Sequence, residues 1–168
     1  PIARSASPPP PGRRAPAPVT TILGRAGASL GTTWGSLDAS AAFMWRAMQQ
    51  GAKKAMPADF PNLVLSSGAG HVSIYHQLRG PAWTVSAFDA SGLAAVAHAA
   101  EEIDAGRADA MIAGGVETTN DIVLRVLEIF HGAGVRATRS EGAAAVLLEA
   151  EPAARTRGAR VLAEVPLF

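Results

Sequence analysis

Apolar and polar positions repeat with two different periods along the chain, and each change of period marks a predicted element. Helical spacing of apolar residues predicts five helices, the last of them short, at residues 36–50, 67–78, 89–105, 121–130 and 152–157. Short runs of apolar and β-branched residues, bounded by glycine, proline or charge, predict five strands at residues 19–23, 82–86, 108–113, 143–149 and 160–165. Strands that alternate with helices indicate an α/β protein with α-β-α layers and a mixed, mostly parallel sheet.

The first 18 residues follow neither period. Seven of the 12 prolines of the chain lie there, together with Arg4, Arg13 and Arg14 and without an acidic residue. Such a segment cannot bury apolar surface and favours polyproline II, so we predict a disordered tail over residues 1–18 and one folded domain over residues 19–168.

Composition excludes several classes of function. The chain has 168 residues, no cysteine and a formal net charge of +1. A disulfide framework, a thiolate metal site and a cysteine nucleophile are therefore excluded. A net charge this close to zero gives no reason to expect nucleic-acid binding. No apolar run reaches the length of a membrane span. The proline-rich start lacks the apolar segment of a secretory signal, so we expect a cytoplasmic protein.

An ordered set of motifs covers residues 61–117 and continues to residue 159. The motifs are AGHVSI at 69–74, LRGP at 78–81, ASG at 90–92, AGRAD at 105–109, AGGVE at 113–117, SEGAAAVLLE at 140–149 and ARTRGA at 154–159. Over about residues 20–165 the chain resembles the N-terminal half of the β-ketoacyl synthases, which have the thiolase fold. Gly114-Gly115 follows a strand without the G-x-G-x-x-G pattern, so a close backbone approach is the better interpretation than a dinucleotide site.

The resemblance implies where the chemistry would lie. In active members a cysteine at a sharp strand-to-helix turn takes the acyl chain as a thioester, and counting from Gly80-Pro81 places Asp89 there. A carboxylate cannot form that thioester. The two catalytic histidines of the family come from its C-terminal half, and none of His71, His76, His98 and His131 matches them. We therefore expect no catalytic residue, cofactor or metal in this chain.

The family contains such a subunit, the chain length factor, which pairs with a cysteine-containing ketosynthase and limits the growth of the polyketide. Glutamine usually occupies the nucleophile's place there, so Asp89 is a departure. The short form, with the stretch DFPNLVL at 59–65, is most similar to the chain length factors of aryl polyene clusters. An acyl carrier protein would reach the chain through the complex. The alternatives are a truncated pseudo-ketosynthase that acts as an interaction module, and a malonyl decarboxylase that uses Asp89 as its base.

Further site residues follow from the resemblance. The partner interface is expected on the strand formed by Ala82, Trp83, Thr84, Val85 and Ser86. Candidates for the wall of the acyl tunnel are Phe88, Asp89, His71, Val123 and Leu127. Plainer interpretations stand beside these: Asp89 as a helix cap, His71 as a structural histidine, and the helix of residues 121–130 as a core helix.

One part of the family pattern lacks a counterpart. The family begins with a strand and helix before the equivalent of residues 19–23, where this chain has the proline-rich tail. That first strand is central in the sheet, so its absence would leave two strands with unpaired backbone groups. Residues 160–165 could fill the gap, a partner could cover it, or the chain could be a truncated product.

Overall fold

The computed structural model describes residues 2–4, 24–137 and 139–166. The strands are β1 (Ile2–Arg4), β2 (Ala26–Gly31), β3 (Ala82–Val85), β4 (Ala110–Glu117) and β5 (Gly142–Ala150). The helices are α1 (Leu37–Gln50), α2 (Ser67–Tyr75), α3 (Ser91–Asp104), α4 (Asp121–His131) and α5 (Glu151–Thr156), with 3-10 turns at Ala52–Lys54, Pro57–Asn62 and Ala133–Ala137. All five predicted helices are confirmed, with ends shifted by up to three residues.

The five strands form one mixed sheet in the order β1-β5-β4-β2-β3. β2 pairs in parallel with both β3 and β4, β1 pairs in parallel with β5, and β4 and β5 are antiparallel. The α/β class and the mostly parallel sheet predicted from sequence are confirmed.

Helices cover both faces of the sheet. Neighbouring residues of a strand point to opposite faces. A Cβ built on Gly31 would lie against Ser91 at the start of α3, whereas Leu30 Cδ1 lies 4.0 Å from the Cβ position of Gly68 in α2. α2 and α3 therefore lie on opposite faces. The main core packs α3 on β4 and β5 and contains Ala99, Ile103, Ala108, Met111, Ala113 and Leu148.

Close backbone approach is confirmed at Gly114-Gly115. A Cβ on Gly114 would lie 2.0 Å from the carbonyl oxygen of Ala144, and one on Gly115 would lie 3.1 Å from the Cα of Gly92. These glycines let β5 and the first turn of α3 pack directly on the backbone of β4.

Four segments depart from the predictions or lie outside the described residues. The strand β2 was not predicted. The predicted strand at residues 160–165 was wrong, because the chain there forms only a single bridge at Glu164. Ile2–Arg4, assigned to the disordered tail, instead pairs with residues 148–150 of β5, so that prediction was wrong at these three residues. The predicted strand at 19–23 and the remaining tail at 5–18 lie outside the described residues.

The sheet has no gap at the position of the family's first strand. β2 and β4 pair directly over six residues, from Ala26↔Ala110 to Gly31↔Gly115. Their backbone groups are thus satisfied by each other, and the described sheet needs neither residues 160–165 nor a partner between these two strands.

Candidate functional site at the strand-to-helix turn

The turn between β3 and α3 is sharp and internally bonded. Phe88 lies in the left-handed region with φ of 48°, which is unusual for a large side chain. Its carbonyl oxygen accepts hydrogen bonds from the backbone N–H of Ser91 (3.0 Å), the hydroxyl of Ser91 (2.6 Å) and the hydroxyl of Thr33 (3.0 Å). The Ser91 hydroxyl also accepts from the N–H of Ala87 at 2.9 Å. The hydrogen bonds to the carbonyl of Phe88 and from the N–H of the preceding Ala87 therefore fix the backbone conformation of Phe88.

A carboxylate holds the loop that supports this turn. Glu117, the last residue of β4, accepts the hydroxyl of Thr32 (3.0 Å) and the backbone N–H groups of Thr33 (2.6 Å) and Trp34 (3.2 Å). Because Thr33 in turn bonds Phe88, the end of β4 positions the turn through the loop after β2. Sequence analysis noted Glu117 only as part of the AGGVE motif and missed this role.

Asp89 projects from the turn into solvent. Its side chain is 90% exposed and forms an ion pair with Arg139 at 3.4 Å. The interpretation of Asp89 as a helix cap was wrong, because α3 begins at Ser91 with Ala90 as the N-cap and no side-chain cap bond. The carboxylate nevertheless lies just before a helix N-terminus, where the helix dipole favours a negative charge.

β3 is an edge strand. In the described sheet it pairs only with β2, and Ala82 and Trp83 are exposed. The N–H groups of Ala28 and Thr32 bond the carbonyls of Pro81 (2.9 Å) and Val85 (3.0 Å). Backbone groups alternate in direction along a strand, so those of Ala82 and Thr84 point to the open edge.

An ion pair between a buried carboxylate and an exposed arginine lies beside this edge. Glu102 of α3 is only 3% exposed, and Arg107 grips both of its oxygens, with Nε to Oε2 at 2.9 Å and Nη2 to Oε1 at 2.8 Å. Hydrogen bonds from Arg107 lower the pKa of Glu102. The same contact with Glu102 raises the pKa of Arg107. His98 completes the cluster, with Nε2 3.9 Å from Glu102 and its ring edge-on to Trp83 at 5.0 Å.

The structure separates the five candidates for the tunnel wall. Val123 and Leu127 are buried with Val135 in a second core cluster, against Trp34 and Leu37. Phe88 is 77% exposed, Asp89 is exposed, and His71 lies at the surface with Nε2 2.8 Å from Asn62 Oδ1. The core interpretation of α4 thus holds for Val123 and Leu127, while Ile129 and Phe130 of the same helix are exposed.

Large apolar side chains are also exposed in the segment that connects β2 to β3. They are Met44, Trp45, Met48, Met56, Phe60, Val64, Leu65, Ile74 and Tyr75. Three of them, Met44, Trp45 and Met48, lie in α1, the helix that apolar spacing predicted at residues 36–50. No residue of α1 is buried within the described chain. So many exposed apolar side chains in one segment make it a candidate interaction surface.

The described residues contain neither a group of metal ligands nor a membrane-spanning helix. Among the described residues, no three histidine or acidic side chains are grouped so that they could hold a metal ion. Within the same part of the chain, no helix combines the length and the apolar character needed to cross a bilayer.

The fold and the turn define a class. A mixed sheet covered by helices on both faces, with a tight turn leading from the edge strand into a core helix, is the architecture of a thiolase-like condensing domain. A family model for the beta-ketoacyl synthase N-terminal domain matches residues 15–128. The chain therefore belongs to the β-ketoacyl synthase family.

Individual relatives agree with this assignment. The 3-oxoacyl-[acyl-carrier-protein] synthase 2 of Vibrio harveyi is 30% identical over 162 residues, a match that covers 86% of this chain and 39% of the relative. A β-ketoacyl synthase structure from Burkholderia phymatum STM815 has a TM-score of 0.73 and 25% identity, and covers 86% of this chain and 40% of its own. The ishigamide ketosynthase/chain length factor has a TM-score of 0.68 and 27% identity over 77% of this chain and 37% of its own. The chain thus spans about two fifths of the length of these relatives.

Proposed function

We propose that this chain is a non-catalytic, chain-length-factor-like subunit. It would bind a cysteine-containing ketosynthase in the cytoplasm and shape the acyl tunnel during polyketide elongation, with an aryl polyene-type product as the specific expectation. The observation that carries the proposal is Asp89, a carboxylate at the turn where the family places its nucleophile.

The chemistry of Asp89 supports an accessory role. Decarboxylative condensation requires a thiolate that attacks an acyl thioester and carries the acyl group as a new thioester. A carboxylate is a weaker nucleophile and gives no thioester to transfer. Asp89 is also 90% exposed and is paired with a cation, Arg139, rather than with a second titratable group that could share a proton in general acid–base catalysis. The backbone of the turn is kept rigid by Thr33 and Ser91, but it presents the wrong functional group.

The open edge of β3 supports a partner. Ala82 and Thr84 offer unpaired N–H and C=O groups, and an exposed edge with no charged residue invites another strand. A ketosynthase strand laid along β3 would satisfy these groups. The likeness to the ishigamide ketosynthase/chain length factor supports a ketosynthase as the partner. The acyl carrier protein would deliver its substrate to the complex.

Tunnel-wall residues would come from the exposed candidates. Phe88 and Asp89 lie at the tip of the turn, and His71 lies at the surface of α2. Val123 and Leu127 would act only indirectly, because they are packed inside the core cluster. Control of product length would then be steric, through the side chains at the turn.

The test is a reconstitution with a cysteine-containing ketosynthase from the same organism. The two chains are co-expressed, separated by size exclusion, and exposed to an acyl carrier protein loaded with an acyl group before intact-mass analysis. We expect one co-eluting complex in which the ketosynthase gains the acyl mass and this chain does not. The acylated ketosynthase in the same sample is the positive control. Separate elution, or an acyl adduct on this chain, would contradict the proposal.

The decarboxylase alternative is tested in the same samples. Malonyl loss from a malonyl-loaded carrier protein is followed with the isolated chain and with its Asp89→Asn variant. No turnover by the isolated wild-type chain is expected. Turnover that disappears in Asp89→Asn would assign Asp89 a catalytic role and overturn the accessory one.

A further inference from the structure

The loop that follows β2 presents two successive backbone N–H groups to one carboxylate. Glu117, half-buried at the end of β4, accepts from the N–H of Thr33 at 2.6 Å and from the N–H of Trp34 at 3.2 Å. Successive backbone N–H groups in a turn form an anion-binding concavity called a nest. In this chain an internal carboxylate fills the nest, and the hydroxyl of Thr32 donates a third hydrogen bond to it at 3.0 Å.

The filled nest also places the side chain of Thr33. Its hydroxyl donates to the carbonyl of Phe88 at 3.0 Å and lies 3.5 Å from the hydroxyl of Ser91, which donates to the same carbonyl at 2.6 Å. Hydrogen bonds that share groups in this way strengthen one another and hold a single arrangement. The path from Glu117 through Thr33 therefore ends on the backbone of Phe88.

Phe88 needs this support because its backbone conformation is unfavourable. A non-glycine residue with a φ of 48° persists only where its surroundings over-determine it, and such strain clusters at functional sites. The ring is 77% exposed, so packing within the described chain gives no return for the strain. The backbone conformation does fix the direction of the Cα–Cβ bond, and hence the direction in which the ring leaves the turn.

We propose that Phe88 is the side chain of the turn that determines product length, and that Glu117 and Thr33 are its positioning residues. The ring would close the end of the acyl tunnel and stop the growing chain by steric contact. Asp89 beside it is charged and paired with Arg139, so contact with an apolar acyl chain would cost its hydration. This inference rests on the proposed function, because the tunnel belongs to the complex with a ketosynthase.

The chain offers two matched controls. Thr156 donates its hydroxyl to a backbone carbonyl of α5 at 2.7 Å, so Thr156→Val removes the same kind of bond as Thr33→Val, but away from the turn. Glu141 accepts the backbone N–H of Thr119 at 3.4 Å, so Glu141→Ala removes a carboxylate–amide bond to a different segment.

The first experiment follows backbone amide exchange of the isolated full chain by NMR. The N–H of Ser91 is bonded to the carbonyl of Phe88, so its exchange reports whether the turn keeps its conformation. Thr33→Val and Glu117→Ala should each accelerate this exchange about fivefold, through local opening. Both control variants should stay within about twofold. Amides of β5 monitor global unfolding.

Added formate tests the nest itself. Formate offers the same two oxygens as the lost carboxylate and can occupy the nest that Glu117→Ala leaves empty. It should slow the exchange of the Ser91 amide again in Glu117→Ala and have no effect in Thr33→Val, in which the nest is already filled. A purely structural loss of stability would not respond to formate in this selective way.

The second experiment measures product length with a cysteine-containing ketosynthase, its carrier protein and malonyl units. Phe88→Ala should shift the distribution towards longer products, and Phe88→Leu should fall between it and the wild type. Thr33→Val and Glu117→Ala should broaden the distribution, because the ring then samples several directions. Formate should narrow it again for Glu117→Ala alone, and both control variants should give the wild-type distribution.

The outcomes separate the two proposals. If the wild-type chain shifts product length but Phe88→Ala gives the wild-type distribution, the inference is refuted while the proposed function stands. Unchanged Ser91 exchange in Thr33→Val and Glu117→Ala, equal acceleration in the controls, or an absent response to formate would refute the positioning role. If the wild-type chain leaves product length unchanged, the proposed function and the role of Phe88 fail together.

Discussion

Gly31, at the end of β2, is the position where the first turn of α3 sits closest to the sheet. A Cβ added there would lie 2.1 Å from the carbonyl oxygen of Ser91, 2.2 Å from its carbonyl carbon and 2.6 Å from the nitrogen of Gly92. These are backbone atoms, so no side chain can rotate away, and the first turn of α3 would have to retreat by about 0.9 Å to restore a contact of 3.0 Å. Gly31→Ala is therefore predicted to displace the turn that carries Asp89.

The expected loss of stability can be bounded. Overpacking a close contact costs about 1–3 kcal/mol, and a backbone contact belongs at the upper end. The retreat would also strain the hydrogen bond from Thr33 to Phe88, a loss of about 1 kcal/mol. Restricting the unfolded chain returns about 0.4–1 kcal/mol. Gly31→Ala should thus lower the free energy of unfolding by about 3 kcal/mol.

Urea unfolding followed by circular dichroism measures this loss, with Gly70→Ala as the control. Gly70 lies inside α2 with nothing within 4 Å of its Cβ position, so alanine there should stabilise the protein by about 0.5–1 kcal/mol through helix propensity. A Gly31→Ala variant as stable as the wild type would refute the packing of α3 on β2 and, with it, the placement of the turn.

Three further predictions concern the site. Because Phe88 has a positive φ and an exposed ring, Phe88→Gly should be more stable than Phe88→Ala by about 1 kcal/mol in urea, the reverse of the order in a helix; alanine as the more stable residue would contradict the turn geometry. Hydrogen bonds from Arg107 lower the pKa of Glu102 in the folded state, so their stabilisation is full above the unfolded value and is lost as the pH falls below about 4.3 through the folded value. The stability difference between wild type and Glu102→Gln should therefore shrink in acid, and a difference that stays constant from pH 7 to 3 would rule out this pKa shift. Asp89→Asn removes only an exposed ion pair with Arg139, so melting curves should show a change of less than about 1 kcal/mol; a larger loss would mean that Asp89 has a structural role.

Periodicity and motif order were sufficient for most elements, and the misses have physical causes. β2 reads AGASLG, a run of small residues with low strand propensity, and its strand forms because it is buried between β3 and β4. Residues 160–165 have the apolar alternation of a strand but pair with a neighbour only through the single bridge at Glu164. In both segments the outcome depends on whether a neighbouring strand is available for pairing. The local sequence pattern does not contain that information.

For α1, too, the local sequence pattern did not indicate the packing partner. The apolar spacing of residues 36–50 correctly predicted a helix, yet Met44, Trp45 and Met48 on that helix are exposed in the described chain. Periodicity predicts that one face of a helix is apolar, but it does not indicate what packs against that face. This exposed face is consistent with a chain that completes its packing against another subunit.

At the site, sequence indicated the position of Asp89 but not its surroundings. The turn was expected from the motif, whereas the support of Phe88 by Thr33 and of Thr33 by Glu117 joins residues that lie 55 and 84 positions apart along the chain. The contact between Trp83 and His98 likewise joins a strand to a helix that follows it. Such contacts are set by tertiary packing, which a single sequence does not display.

The length of the product tests the central claim most directly. A cysteine-containing ketosynthase, its carrier protein and malonyl units are incubated with and without this chain, and the released acyl products are sized by mass spectrometry. The account predicts that adding the chain shifts the length distribution, and that Trp83→Ala, which weakens docking, diminishes the shift. A distribution that is the same with and without the chain would contradict the claim that it assists condensation by shaping the tunnel.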